Sequence, residues 1–486
     1  MALSVLYRRK SVKGSGIMKT ILVIMVLLAA GCLWGQTALG PLSVRGTNYY
    51  PALTPWGDMW SDKTPAGTYE KDMALAASLG VNTVRTFLFF DVDRGYNTAD
   101  GEVTPAMLKR FEELLAAADR HGIKLIPCFE GLRDKDEKVR RAFIASFARR
   151  YKNDGRILMW DLINEPGGAV GGPLGDPQTA EFIASDFPYL KSLDPKHPVT
   201  VGLCYEIYQL SQIIVPDTSH FHDYAPWKDY REQGLARIGG TVAMMRQYAP
   251  SRPVIVGEYG WASRDDKNEL GTADMTERLQ AYRYGICLTG YERYRVEGVL
   301  SWCLLDYPVP LWQDAQRYYG CVRFDGSLKP SAIVMKDFYT KWAAGADYGF
   351  SEDFNSPSSW QQTENCRLED YLEDDGLILQ RSEAGGRAFA AQTRTVNPGL
   401  YPWLTVSLPE LSEGASTRVE IDAEGKAYAF PEIKEPGVYE WDVRSVMTTR
   451  DRPESLTVKA VLTGPAGCEA MWGRISLGNK RQLPAK

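Results

Sequence analysis

Residues 160–166 read WDLINEP and residues 253–260 read PVIVGEYG, and these two stretches decide the fold. Each is a short run rich in apolar, β-branched or aromatic side chains, as buried strands are, and each run ends in a glutamate. Similar runs recur on both sides of them through residues 42–342, separated by amphipathic stretches. This alternation predicts parallel strands joined by crossover helices.

Eight such strands can be placed along this part of the chain. They cover residues 43–50, 82–87, 124–129, 157–163, 199–203, 220–224, 254–258 and 299–304. Helices between them have readable starts at Thr104-Pro105 and Asp176-Pro177, where a capping side chain precedes proline, and readable ends at Gly80 and Gly122. Eight such units predict a (β/α)8 barrel, because a doubly wound sheet more often carries a glycine-rich phosphate loop after its first strand.

The pattern changes after residue 342. Residues 346–486 contain short alternating runs, such as those at 377–379 and 403–406, separated by Gly, Pro, Asn and Asp, which predicts a β-sandwich. The expected organisation is therefore a leader at 1–40, a barrel at 41–345 and an accessory sandwich at 346–486. The aromatic residues of this last part could either stack on a glycan or pack in the core, and they are Tyr401, Trp403, Tyr439 and Trp472.

The N-terminal segment indicates export. Lys19 precedes an apolar run at 21–30 that is too short to span a bilayer but has the length of a signal-peptide core. The run ends in Ala29-Ala30-Gly31-Cys32, which resembles a bacterial lipobox with Ala where Leu is usual. Two outcomes stay open, a lipid on Cys32 or plain cleavage. The protein is expected to be secreted, periplasmic or lipid-anchored at the cell surface, with that lipid as its only membrane attachment.

Composition excludes some classes of function. The 56 Lys and Arg against 61 Asp and Glu give a net charge of -5 without a basic block, so no nucleic-acid partner is expected. The cysteines form no metal-binding spacing, and neither a metal nor an organic cofactor is predicted. The 13 Trp and 26 Tyr suit the faces of sugars. Oligomeric state is left open by the sequence.

Glu165 and Glu258 are the candidate catalytic residues, because functional side chains of a (β/α)8 barrel project from the carboxyl ends of its strands. They end the fourth and seventh predicted strands. Cleavage of a glycosidic bond needs a protonated carboxyl to donate to the leaving oxygen and an ionised one at the anomeric carbon. Two glutamates across a barrel mouth supply that pair.

This pattern resembles the clan A retaining glycoside hydrolases, and in particular family 5 with its cellulase-like and mannanase-like members. The resemblance covers most of residues 42–342. The matching segments are 45–51 (RGTNYYP), Arg85, 164–166 (NEP), 222–224 (HDY), Glu258, Trp302 and 319–326 (YGCVRFDG).

The resemblance implies a role for each matching residue. Glu165 would be the general acid/base, Glu258 the nucleophile, and Asn164 a contact to the sugar 2-hydroxyl. The two carboxyl groups should then lie about 5–5.5 Å apart, the separation of retaining enzymes. Glu165 is expected to start the reaction protonated and to lose its proton once the charge on Glu258 has been removed.

Four further residues are expected to support or bind substrate. Arg85 and Tyr224 would keep Glu258 ionised by lowering its pKa, His222 would lie in the site, and Trp302 would lie beneath the cleaved sugar. Structural alternatives remain for three of them: Arg85 could be an ordinary ion pair, His222 a core histidine and Trp302 barrel filling.

Two further glutamates follow the third and fifth predicted strands. Glu130 and Glu206 could line a substrate subsite, but the expectation for both is an exposed loop carboxylate. The predicted function is retaining hydrolysis of a β-linked glucan or mannan. The alternatives are a transglycosylase with the same carboxylate pair and a non-catalytic, glycan-binding surface lipoprotein.

Overall fold

A computed structural model describes most of the chain from residue 39 onward. The described residues are 39–167, 177–204, 206–224, 231–263, 276–311, 313–345, 348–352, 362–364, 366–369, 378–381, 388–423, 425–445 and 454–483. The predicted signal peptide and Cys32 lie outside these residues.

Eight parallel strands close into a barrel in the order of the sequence, with β1 pairing both β2 and β8. They are β1 (Val44–Asn48), β2 (Thr83–Phe89), β3 (Lys124–Glu130), β4 (Trp160–Asn164), β5 (Val199–Leu203), β6 (Ser219–Asp223), β7 (Val254–Tyr259) and β8 (Gly298–Ser301). Each lies within, or overlaps, one of the eight predicted runs. The predicted (β/α)8 architecture is confirmed.

Helices surround the barrel between and after the strands. They are α1 (Thr68–Ser78), α2 (Pro105–Arg120), α3 (Glu137–Tyr151), α4 (Pro177–Leu193), α5 (Ile207–Ser211), α6 (Arg231–Tyr248), α7 (Glu277–Arg293) and α8 (Pro330–Ala344), with 3₁₀ turns at Trp56–Asp58 and Asp314–Tyr318. Across the described part of the chain, none of the helices combines the length and apolar character needed to cross a membrane.

The predicted helix boundaries have the expected physical cause. The Thr104 side chain accepts a hydrogen bond from the Met107 backbone N–H at the start of α2. Pro105 fits the first position of the helix, because a backbone N–H there would have no partner within the helix and proline has none. Gly80 and Gly122 adopt φ of 81° and 69° just after α1 and α2. Glycine tolerates this left-handed conformation, which ends a helix and turns the chain into the next strand.

The barrel interior is layered. Its lower part is a small apolar cluster of buried side chains, namely Val44, Ile126, Met159, Ile255 and Leu300. Side chains two residues further along the same strands point to the same side and lie one layer nearer the mouth. On β3 and β4 this next layer contains Cys128 and Asp161, so the interior changes from apolar to polar towards the carboxyl ends of the strands.

The C-terminal region is all-β, as predicted. Its strands are β9 (Tyr348–Glu352), β10 (Gln362–Glu364), β11 (Cys366–Glu369), β12 (Ile378–Arg381), β13 (Ala388–Val396), β14 (Trp403–Leu408), β15 (Glu410–Leu411), β16 (Ser416–Ala423), β17 (Lys426–Ala429), β18 (Gly437–Asp442), β19 (Glu454–Thr463), β20 (Glu469–Met471) and β21 (Arg474–Gly478), with a 3₁₀ turn at Val443–Ser445. They form antiparallel sheets in the orders β10-β13-β19-β16-β17, β11-β12-β20-β15 and β18-β14-β21-β9.

One hydrophobic core fills the described part of this region, and most of its candidate glycan-binding aromatics contribute to that core. Trp472 is buried in it, and Tyr401 and Tyr439 are partly buried against it. The core alternative therefore holds for Trp472. Trp403 is half-buried and carries the Arg481 guanidinium 5.5 Å from the centre of its ring.

Buried and partly buried ion pairs tie the barrel to the C-terminal sheets. Arg474 on β21 donates from Nε to Asp337 Oδ2 on α8 at 2.8 Å, and both side chains are almost fully buried. Arg278 on α7 pairs with Glu410 at 2.6 Å and with Glu469 at 2.7 Å. Because two charges are buried together at the first of these contacts, the loss of one would leave the other without compensation.

Replacing Arg474 with leucine is therefore expected to destabilise the fold by about 3–5 kcal/mol, because the Asp337 carboxylate would remain buried without its cation. Chemical or thermal unfolding followed by circular dichroism measures the change. Arg444→Leu is the matched control, since Arg444 and its partner Asp442, 2.7 Å away, are both solvent-accessible and the loss of this pair should cost at most about 1 kcal/mol. Equal shifts for the two variants would contradict this account of the interface.

Candidate active site

The centre of the polar layer is Arg85 on β2, whose side chain is fully buried. Its Nε donates to Asp161 Oδ2 at 2.9 Å, and Nη1 donates to Glu258 Oε1 at 2.6 Å and to Asn48 Oδ1 at 3.0 Å. Its Nη2 donates to Asn164 Oδ1 at 2.8 Å and lies 3.4 Å from Cys128 Sγ. These contacts engage all five N–H donors of the guanidinium.

Glu258 lies near the end of β7 and is held at both carboxylate oxygens. Oε1 accepts from Arg85, and Oε2 accepts from the Tyr224 hydroxyl at 2.6 Å. The His222 Nδ1 atom is 3.6 Å from Oε1. The two residues predicted to orient this carboxyl, Arg85 and Tyr224, are therefore the ones that bind it.

Glu165 follows β4 and faces the same space from the opposite side of the mouth. Its Oε1 lies 2.7 Å from His222 Nδ1, and its backbone N–H donates to the Gly202 carbonyl at 2.8 Å. Its φ of 41° is in the left-handed region, which side chains other than glycine rarely adopt. Such backbone strain is found where the surrounding structure holds a functional side chain in one orientation.

The two glutamates are close together. One carboxylate oxygen of Glu165, one of Glu258 and a ring nitrogen of His222 all lie within 4.8 Å of one another. Within the described ranges this is the one His and carboxylate cluster compact enough to hold a metal ion. Its atoms, however, already bind Arg85, Tyr224 and each other, which favours proton chemistry at this position over metal binding.

The electrostatics of the pair differ from the sequence-based expectation. Burial raises the pKa of Glu258 above its ordinary value, and His222 and Arg85 oppose this effect only in part. Burial also acts to raise the pKa of Glu165, but the hydrogen bond and charge of His222, together with Cys204 and Arg85, outweigh it and hold that pKa below its ordinary value. In the free site the order of the two pKa values is thus the reverse of the predicted one.

The other two predicted substrate contacts also lie at the mouth. Asn164 uses its Oδ1 for the bond to Arg85, which orients its amide group. Trp302 follows β8, is 8% exposed, and donates from Nε1 to Gln316 Oε1 at 3.3 Å. All seven predicted site residues are therefore brought together around one space.

Several neighbours of these residues were missed by sequence reasoning. Asp161 is fully buried beside Arg85, which holds the pKa of this carboxyl low against the effect of burial. A charged residue inside the apolar run WDLI was a usable signal for it. Asn48 at the end of β1 donates to the carbonyls of Gly257 and Ser301 at 2.8 and 3.1 Å and so fixes adjoining strands.

His220 lies in the polar layer, where burial lowers its pKa to about 3. This histidine stays neutral at ordinary pH, and its ring lies 3.6 Å from Asp161. It occupies space that a side chain on the neighbouring strand would need. A Cβ added at Gly257 would lie 1.5 Å from His220 Nε2, so only glycine allows β7 to pass this ring and present Glu258.

Two expectations about outlying glutamates were wrong. Glu206 is 7% exposed and lies just before α5. Glu130 is the last residue of β3 and is half-buried, and burial raises its pKa to about 7. The sequence showed where both strands end but not how closely the neighbouring strands would enclose these side chains.

A closed (β/α)8 barrel with two close carboxyl groups at the ends of its fourth and seventh strands defines the class of retaining glycoside hydrolases. Residues 41–289, about half of the chain, match the family Cellulase (glycosyl hydrolase family 5). The chain belongs to this family, whose members are retaining enzymes. The predicted family is confirmed.

Individual relatives are more distant. The chain is 28% identical over 188 residues to mannan endo-1,4-beta-mannosidase F of Aspergillus clavatus, a match that covers 32% of this chain and 42% of the relative. It is 23% identical over 254 residues to beta-glucuronidase of Sus scrofa, covering 49% of this chain and 38% of the relative. The matches span about two fifths of the length of these curated relatives.

Among solved structures, the fold is similar to that of a family 5, subfamily 18 variant from Streptomyces cattleya in complex with Manβ1-4GlcNAc. The TM-score is 0.51 with 15% sequence identity, and the superposition covers 62% of this chain and 81% of that one. At this identity the likeness shows a shared fold.

The fit between Gly257 and His220 leads to a stability prediction. Gly257→Ala should destabilise the protein by about 1–3 kcal/mol or more, because the added methyl group overpacks the polar layer. Thermal unfolding measures the change. Gly155→Ala is the matched control, since nothing lies within 4 Å of a Cβ at that position. If Gly257→Ala is as stable as the control, the close packing of His220 against β7 does not constrain this strand.

Proposed function

We propose that the chain hydrolyses β-linked polysaccharides or oligosaccharides of the mannan or glucan type with retention of anomeric configuration. Glu258 is the nucleophile and Glu165 the general acid/base. The observation that carries this proposal is that one oxygen of the partly exposed Glu165 carboxyl lies within 4.8 Å of one oxygen of the buried Glu258 carboxyl, which Arg85 and Tyr224 hold. Retaining glycosidases use such a short separation, whereas inverting ones leave room for a water molecule.

In the first step Glu258 attacks the anomeric carbon while Glu165 protonates the leaving oxygen. Arg85 and Tyr224 each occupy one oxygen of Glu258, which orients the carboxylate and stabilises its charged form. Because Asn164 accepts from Arg85 through Oδ1, its amide N–H groups are left to donate to the sugar 2-hydroxyl. The Trp302 ring supplies a flat apolar face for the sugar in the cleaved subsite.

In the second step Glu165 removes a proton from water, which attacks the glycosyl–enzyme intermediate. Glu165 suits this role because its pKa is held low by His222, so the side chain stays ionised after it has delivered its proton. The loss of negative charge on Glu258 strengthens this tendency. The same carboxyl thus serves as acid and then as base.

A mannan-type substrate is favoured within this proposal. A curated relative is named as a mannan endo-1,4-beta-mannosidase, and several others bear the same activity in their names. The chain shares only part of their length, so the sugar itself has to be established by assay. A panel of β-mannans, β-glucans and their oligosaccharides tests it directly.

Removing either carboxyl should abolish most of the activity on this panel. Glu258→Ala loses the nucleophile and should lower kcat by at least about 10³-fold. Glu165→Ala should lower it by about 10²–10⁴-fold, and by less on aryl glycosides whose leaving group needs no proton. Product anomers followed by NMR should show retention for the wild type.

A Glu→Gln change in an exposed surface pair provides the control for these variants. Glu137 pairs with Arg141 one helical turn away on α3, and Glu137→Gln should leave kcat unchanged. Sugar release that is equal and negligible in wild type and carboxyl variants, with glycan binding retained, would show that the chain is a binding protein instead. Formation of longer oligosaccharides in place of hydrolysis products would identify a transglycosylase.

The pH dependence should reveal the role of His222. The two glutamates titrate as a coupled pair, so kcat/KM should follow a bell-shaped curve with one limb for each macroscopic pKa. His222 lowers the pKa of both carboxyls, and His222→Ala should therefore let both retain their protons to higher pH. Both limbs should move towards higher pH.

His121→Ala is the control for this profile, because His121 pairs with Glu70 at 2.8 Å on the outside of the barrel. That variant should keep the wild-type curve. A His222→Ala enzyme with lower kcat but unshifted limbs would show that His222 only fills space and does not set the protonation of Glu165.

A further inference from the structure

One side of the barrel mouth is an aromatic wall, formed by Tyr50, Trp56, Phe87, Phe89 and Trp302. Tyr50 stacks between Trp56 and Phe87, with ring centroids 4.8 and 4.9 Å apart, and Trp302 meets Tyr50 edge-on at 6.0 Å. Phe89 continues the wall 6.3 Å from Tyr50. The wall thus runs from the indole of the cleaved subsite to the end of β2.

Glu130 stands where this wall ends. It is the strand partner of Phe89 in the pairing of β2 with β3. Its side chain points into the mouth, because Cys128, two residues earlier on β3, contacts Arg85 inside the barrel. Glu130 therefore lies one layer nearer the solvent than the Arg85 guanidinium, on the same inner face of the barrel.

No side chain in the described part of the chain bonds to the Glu130 carboxyl. The charges of Arg85 on β2, Arg133 in the following loop and Asp161 on β4 all affect the pKa of Glu130. The charge of Glu130 in turn raises the pKa of Tyr50, which follows β1. The Gly131 backbone N–H donates to this carboxyl, but a carboxylate has further acceptor sites, and leaving them unfilled when half-buried is costly unless something else supplies the hydrogen bonds. Sugar hydroxyls are donors of the right kind, and the aromatic wall beside them suits the apolar face of a pyranose.

The nearest buried cation is not available to a charged substrate. The five N–H donors of Arg85 are already directed at acceptors on Asp161, Glu258, Asn48, Asn164 and Cys128. A sugar carboxylate at the end of the wall would meet the half-buried Glu130, and the other cation near Glu130, Arg133, is exposed to solvent and therefore screened. Like charges at such a short range oppose binding.

We propose that Glu130 is a specificity-determining residue, which accepts hydrogen bonds from hydroxyls of a neutral sugar unit on the aromatic wall and disfavours a uronate there. This inference rests on the proposed function, because it concerns the glycone side of the same site. The proposed preference for a neutral sugar would distinguish this chain from the beta-glucuronidase to which part of the chain is similar. The carboxylate form is the better acceptor, so affinity for the neutral sugar should rise with pH.

The pH range of that effect follows from the environment of Glu130. Burial raises its pKa to about 7, against the opposing influence of the Gly131 backbone, Arg85 and Arg133. Below this pH the carboxyl is protonated and accepts fewer hydrogen bonds. KM for the preferred neutral substrate should therefore rise as the pH falls through about 7, and this dependence should vanish in Glu130→Gln.

The test compares wild type, Glu130→Gln and Glu130→Ala on β-linked mannosides, glucosides and glucuronides at pH 5.5 to 8.5. For the neutral sugar, both variants should raise KM about 10- to 100-fold at pH 8, the loss expected for hydrogen bonds to a charged group, while kcat changes much less. The preference in kcat/KM for neutral sugar over glucuronide should fall at least about 10-fold in Glu130→Ala.

Glu113→Gln is the matched control, since Glu113 is a half-exposed partner of Arg110 on α2. Circular dichroism and thermal unfolding establish that each variant is folded. If Glu130→Gln keeps the wild-type KM, pH dependence and preference while Glu258→Ala is inactive, the inference is wrong and the proposed function stands. If the wild type cleaves none of the glycosides and none of the polysaccharides, both fail. A wild type that prefers glucuronide overturns the inference and also the mannan or glucan substrate of the proposed function, and leaves only the retaining mechanism standing.

Discussion

The buried guanidinium of Arg85 connects the ends of four strands, and the geometry of the mouth depends on it. Its partners come from β1 (Asn48), β3 (Cys128), β4 (Asp161 and Asn164) and β7 (Glu258). Removing a cation from water costs several kcal/mol, and only a complete set of acceptors offsets that cost. All the acceptors of Arg85 must therefore be in place at once. This requirement fixes the relative positions of the strands that carry them, and with them the position of the Glu258 carboxyl.

Close packing around this cation is possible only because two strands carry glycine where they pass it. A Cβ at Gly202 would lie about 3 Å from His222, Arg85 and Asp161 together, and one at Gly257 would collide with His220. Both histidines of β6 thus reach the polar layer through space left by neighbouring strands. The apolar cluster beneath supports this layer and keeps water away from its lower side.

Sequence patterns predicted the elements well and the contacts less well. Runs such as 199–203 were found to the residue, because strand length and apolar character are local properties. The position of Glu165 and Glu258 followed from the strands that carry them. The bond between His222 and Glu165 did not follow, since it depends on how far the barrel brings β6 towards β4. The burial of Glu130 and Glu206 was missed for the same reason: neighbouring strands enclose them, and those strands are distant in sequence.

The reversed pKa order of the two glutamates has its source in burial and in His222. Burial raises the pKa of Glu258, and the charges of His222 and Arg85 offset this effect only in part.

Glu165 has a donor of its own in His222 and therefore holds its charge more readily. In the proposed reaction this arrangement lowers the rate of the first step, because only the fraction of enzyme with the proton on Glu165 can react. It favours the second step, in which Glu165 must be ionised to take a proton from water. In the proposed reaction the pKa order of the free site thus favours hydrolysis of the covalent intermediate over its formation.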